Sequence, residues 1–176
     1  MKKLWIGLVV VLMLVATPVF AAEMKVAFVD LQKALMECDA GQAAKGSMGQ
    51  RVKEFQTTAQ QRQQNLKNLN QELEKKKLML SADAKAEKEQ DYQQQTKDFQ
   101  RFIKDAQEEL QQEEARLGRS ILEGLSKVIK DLGDKDGYTL VLERSNGALL
   151  YADDSIDLTD KVIAAYNKAY KVTNGK

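Results

Sequence analysis

QRVKEFQTTAQQRQQNLKNLNQELEKKKLMLSADAKAEKEQDYQQQTKDFQRFIKDAQEELQQEEARL, residues 50–117, runs for 68 residues without a glycine or a proline. Those two residues interrupt helices most strongly, so their absence permits long unbroken helix. From Met48 one apolar thread steps by four and three through Val52, Phe55, Ala59, Arg62, Leu66, Leu69, Leu73, Lys76 and Leu80. That is the period of a coiled-coil seam with two basic interruptions, and it never widens into a full core face. The thread breaks at Leu80-Ser81. Ser81 can cap a new helix, with Asp83 at the dipole's positive end, while Lys75 to Lys77 close the preceding helix where cations are favoured. A second thread follows through Tyr92, Gln95, Phe99, Phe102 or Ile103, Ala106, Leu110, Glu113 and Leu117. The pattern predicts one antiparallel helical hairpin with its tip near residue 80.

A fold-back between Leu80 and Ser81 makes the numbers of facing residues total about 161. Phe55 then lies near Ala106, Ala59 near Phe102, Leu69 near Tyr92 and Arg62 near Phe99, so large residues oppose small ones as close packing requires. Arg62 could make a cation–π contact there, or cover the seam with its aliphatic stem. Arms of this length extend roughly 50 to 60 Å at ~1.5 Å per residue, far more than a small globular domain needs.

The chain begins with two lysines, an apolar run from Leu4 to Ala16, then Pro18 and the small-residue stretch Val19-Phe20-Ala21-Ala22. The run of 13 residues is short of the ~20 that a membrane span needs, and the layout is that of a secretory signal peptide, residues 1–22, cleaved after Ala21 or Ala22. An uncleaved anchor is the alternative. Cleavage removes two of the 27 basic residues and none of the 26 acidic ones, leaving 25 against 26 and a net charge of −1. That near-neutrality gives no electrostatic case for nucleic acid and no support for contact with a membrane surface. Cys38, the only cysteine, has no intrachain partner in an oxidising compartment. It reads either as a small apolar residue near a helix end or as an interchain disulfide.

The two ends of the chain form a body, residues 23–45 and 118–176, that carries the arm, residues 46–117. Lys25-Val-Ala-Phe-Val29 reads as a strand covered on both faces, and Asp30 can cap a short helix from Leu31 to about Glu37. Asp39-Ala-Gly-Gln42 resembles a capping box for the first long helix. After Leu117 the apolar stripe widens through Ile121, Leu122, Leu125, Val128, Ile129 and Leu132, which means burial against more than one helix. Gly118 and Gly124 in that stretch permit either a bend or close backbone packing. Tyr138–Glu143 and Ala148–Ala152 are strand-like, and Asn146-Gly147 between them is a hairpin signal. A last helix starts at Asp157-Leu-Thr-Asp160. The fold class is α+β and predominantly helical, a long antiparallel coiled-coil hairpin on a small β-rich body. Three strands and two short helices make a marginal core with open sheet edges. Pairing between copies covers both deficits and predicts an obligate homo-oligomer through Val26, Phe28, Val29, Leu140, Leu142, Leu149 and Tyr151.

Several segments resemble a known family. The leader, the Lys25-Val-Ala-Phe-Val-Asp-Leu-Gln-Lys-Ala34 start, the glutamine-rich hairpin with Met79-Leu-Ser-Ala-Asp-Ala-Lys85 at its tip, and the Asp157-Leu-Thr-Asp-Lys-Val-Ile163 ending are similar to the Skp/OmpH family of periplasmic chaperones. The resemblance covers essentially all of the mature chain. It implies a trimer whose strands build a small central barrel, with three hairpins reaching away around a cavity that holds unfolded outer-membrane proteins and passes them toward assembly. Skp is markedly basic, whereas this mature chain is near neutral, so no lipopolysaccharide site is carried over.

The residues themselves point away from an enzyme. The chain has no histidine, its lone cysteine has no activating partner, and carboxylates such as Glu108-Glu109 sit among matching cations on long helices as a solvated face. No glycine-rich phosphate loop is present, and neither a cofactor nor a metal is expected. A holdase, by contrast, needs only a reachable adhesive surface and the freedom to change shape. A thin seam on a long hairpin supplies both. Client contact is expected at Leu78 and Met79 on the tip and along Phe99, Phe102 and Ile103, though packing along the hairpin explains these equally well. Fifteen glutamines in residues 50–117 keep the remainder wet and neutral. The competing reading is a structural coiled-coil spacer or adaptor that docks onto another cell-envelope protein by a tip patch.

Overall fold

A computed structural model of the chain describes residues 24–76, 79–144, 147 and 149–171. The expected signal peptide and Leu78 lie outside these residues. Strand β1, Val26–Val29, is almost wholly buried. It pairs in parallel with β2, Leu140–Glu143, Val26 lying opposite Leu140 and Val29 opposite Glu143. Side chains alternate across a strand. Ala27, Val29 and Val141 therefore turn into the core, while Val26, Phe28, Leu140 and Leu142 share the other face.

Helix α1, Leu31–Glu37, is capped by Asp30, whose carboxylate accepts the Lys33 N–H at 2.8 Å. Helix α2, Asp39–Lys76, starts differently from the expected capping box. Cys38 occupies the cap: its Sγ accepts the Gly41 N–H at 3.3 Å and its carbonyl accepts the Gln42 N–H. Asp39 is already inside the first turn, where its N–H donates to Asn167 Oδ1. A Cβ on Gly41 would lie 1.8 Å from the Leu35 carbonyl oxygen, so this junction closes only around glycine.

At the far end, the Met79 and Leu80 N–H groups both donate to the Lys76 carbonyl, and the Ser81 hydroxyl accepts the Ala84 N–H. Helix α3 runs from Ala82 to Asp136 and ends at Gly137, whose φ of 71° is the left-handed conformation that glycine adopts most readily. Helix α4, Thr159–Ala169, follows a short 3₁₀ turn at Asp154–Ile156. The Asp157 carboxylate accepts the Thr159 N–H at 2.7 Å, and the Asp30 N–H donates to Thr159 Oγ1, which ties both ends of the body together.

The core lies where α1, the root of α3, α4 and one face of the sheet meet. Ala27, Val29, Ala34, Cys38, Ile121, Leu125, Val128, Leu158, Val162 and Tyr166 form it. Gly124 is there for close packing, because a Cβ would sit 2.7 Å from Tyr166 Cε2.

The expected third strand does not form in this chain. Leu149–Ala152 carries no strand pairing, and Leu150 and Tyr151 are 96% and 84% exposed. These residues line a small cavity with Phe28 and Arg144, so the segment passes over Phe28 rather than beside β2. Gly147 has the positive φ expected of the turn, 70°, whereas Ser145, Asn146 and Ala148 lie outside the described residues.

Candidate functional site

The arm is two helices in contact along one seam. Over 38 residues α2 buries none, and the hairpin's one buried residue among those described is Ala106 on α3. Val52, Phe55, Ala59, Leu66, Leu69 and Leu73 are half-buried against Tyr92, Phe99, Phe102, Ile103, Leu110 and Leu117. The register agrees with the sequence expectation. Arg51 pairs with Glu109, and Lys88 Nζ stands 3.4 Å from Glu72, both pairs totalling 160.

The aromatic contacts are distributed differently. Phe55 meets Phe102 edge to face at 5.9 Å, and Arg62 lies 4.5 Å over the Phe102 ring rather than at Phe99. The Phe102 side chain leans toward the N-terminus of α3, which is toward the tip, so its ring reaches Arg62, beyond the Ala59 that its Cα faces. Arg62 thus makes the cation–π contact. Arg51 does likewise at 4.8 Å over Phe55. Its hydrogen bond to Glu109, followed by that to Glu54, raises its already high pKa, and hydrogen bonds from Lys76 and then Lys88 hold Glu72 below the usual carboxylate range.

Of the residues expected to touch a client, Met79 is 85% exposed at the tip. Phe99, Phe102 and Ile103 are half-buried on the arm, and Phe102 is engaged by Phe55 and Arg62. Sequence reasoning missed a second apolar opening at the root of the arm. A cleft of about 440 Å³ there is lined by Leu35, Met36, Ala44, Met48, Leu117 and Ile121, with Met36 60% exposed. The signal was present: Leu31, Ala34, Leu35 and Cys38 mark the inner side of α1, and Met36 falls off that spacing.

The body offers a second surface. Leu140 and Leu142 are 46% and 38% exposed on the outer face of the sheet, beside Leu150 and Tyr151. Phe28 on that face is covered within the chain, with Arg144 5.6 Å over its ring. Val26 and Leu149 are half-buried. Val29 points to the opposite side and packs in the chain's own core, so its contribution to an outer contact is indirect. Among the described residues no cluster of histidine, cysteine and carboxylate side chains could hold a metal, and no helix is long and apolar enough to cross a membrane.

The described residues form a long, thinly packed helical hairpin on a small α+β body with a partly exposed apolar sheet face, the architecture of an arm-bearing protein. The chain belongs to the OmpH-like family of outer membrane proteins, whose pattern matches residues 25–166. It is 25% identical over 172 residues to a Skp-like protein of Pseudomonas aeruginosa, covering 96% of this chain and 99% of that protein. It is also similar in fold to a chain from Caulobacter crescentus assigned as an OmpH-like outer membrane chaperone, with a TM-score of 0.80 at 20% identity over 88% of this chain and 90% of the other.

Proposed function

We propose that this protein is an ATP-independent periplasmic holdase. It takes unfolded outer-membrane proteins between the arms of a homotrimer, prevents their aggregation and delivers them for assembly at the outer membrane. The observation that carries the reading is the hairpin's near-total lack of buried side chains, with α2 burying none. Its apolar residues stay within reach of solvent along the whole arm. An unfolded β-barrel chain presents apolar side chains in every direction and needs many weak, movable contacts rather than one shaped pocket. Arms on three copies multiply such contacts through effective concentration.

Trimer formation is supported by the outer sheet face, where Leu140 and Leu142 are only partly covered by their own chain, and by the nearly full exposure of Leu150 and Tyr151. A second copy that adds a strand beside β2 satisfies the edge and removes these side chains from water. Membership of the family supports the choice of client, and cleavage after Ala21 or Ala22 fits a periplasmic site of action.

The test dilutes a urea-unfolded outer-membrane β-barrel protein into the mature chain without nucleotide and follows light scattering. Suppression at a stoichiometry of one client per three chains is the expected result, with a native mass of three copies. Scattering no lower than with an inert coiled coil would leave the spacer or adaptor reading ahead.

A further inference from the structure

The large apolar side chains exposed among the described residues fall into two groups. Leu140, Leu142, Leu150 and Tyr151 lie on or beside the outer face of the sheet; the others are Met24, Met36, Met79 and Tyr170. Three of the four outside that face are therefore thioethers, with Met79 at the tip of the arm and Met36 on the rim of the root cleft. Met48, inside the same cleft, is half-buried and supplies an internal comparison. The one thiol is not accessible. Cys38 is buried, with its Sγ accepting the Gly41 N–H and lying 3.6 Å from the Leu35 carbonyl. Exposure governs how readily a thioether is oxidised, and the product exchanges a flexible apolar group for a polar one.

We propose that Met36 and Met79 are oxidation sites at which a peroxide-class oxidant weakens the surface that holds the client, an inference that rests on the holdase role proposed above. The sulfur lone pair attacks one peroxide oxygen, the O–O bond breaks, an S–O bond forms and, after proton transfer, water leaves. Sulfur gives up two electrons and the peroxide takes them. The sulfoxide oxygen accepts hydrogen bonds from water, so the tip and the cleft rim become hydrated where they were adhesive. Thiol-dependent sulfoxide reductases, one for each sulfoxide epimer, return the thioether and restore the surface.

The mature protein is treated with hydrogen peroxide, quenched, and mapped by peptide mass. Met36 and Met79 convert about tenfold faster than Met48. With its far-UV spectrum unchanged, the oxidised protein suppresses aggregation of a urea-unfolded β-barrel protein several-fold less well, and the two reductases together restore it. The double variant Met36→Leu, Met79→Leu retains Met24, and after peroxide it keeps whatever holding capacity it shows before treatment. Full conversion at both sites with holding unchanged overturns the switch, as does a double variant that loses as much capacity as the parent. An untreated protein that holds nothing overturns the holdase role itself, before any oxidant is added, and the switch with it.

Discussion

The root of α3 and its outer length belong to one helix but live in different surroundings. Near the body Ile121, Leu125 and Val128 are buried among side chains from α1, α4 and the sheet. Toward the tip the same helix packs along α2, and among the described residues its seam side chains, Ala106 excepted, remain half-buried. Burial stabilises roughly in proportion to the apolar area removed from water, so stability is concentrated at the root and thins toward Ser81. Rigidity in the body and compliance along the arm come from this gradient along a single element.

The largest expected effect contrasts the two ends directly. Leu125→Ala should lower unfolding stability by about 3 kcal/mol in urea denaturation, because a fully buried side chain leaves a cavity. Leu69→Ala, in the half-buried seam, should cost about 1 kcal/mol or less, seen chiefly as faster hydrogen exchange in the arm. Equal losses would mean that arm and body unfold as one unit. Gly41→Ala should cost about 2 kcal/mol and lower the thermal midpoint, since its Cβ would overlap the Leu35 carbonyl. An unchanged midpoint would show that the α1–α2 junction can shift.

Ser81→Ala should remove about 1 kcal/mol of local stability. Exchange should quicken at Ala82–Glu89 while β1 stays protected. Quickening of neither region, or of both, breaks the proposed gradient. The smallest effect is one of pH. The Glu72 carboxyl is held below its ordinary pKa by Lys76 and Lys88. Its contribution is present above the unfolded carboxylate pKa and is lost as pH falls through the lower folded value. Carboxyl NMR should show that depressed titration, and Glu72→Gln should remove the acid-induced loosening of the outer arm.

Much of this architecture was legible because it is local. The Asp30 and Ser81 caps, the α1 boundaries and the register of the arm follow from spacings of three and four residues. Cys38 was missed as a cap because Asp39 beside it has the better oxygen acceptor, while the decisive constraint, the approach of Gly41 to Leu35, is tertiary. The partner of β2 was also hidden. Asn146-Gly147 advertises a neighbour a few residues away, whereas β2 pairs with β1 from the other end of the chain. On the candidate surfaces, Met79 could be read as exposed from its place off the seam, but the Met36 cleft needed three helices to be brought together.

That long-range strand pairing also governs the order of assembly. The Lys25 N–H donates to Thr139 Oγ1 across a separation of 114 residues, and closing so large a loop as free chain is slow and entropically costly. Zipping α2 against α3 from Ser81 downward would deliver the two ends side by side, so the arm is expected to guide the folding of the body. A lesion in the seam should then slow the appearance of the sheet even where the finished body never touches it.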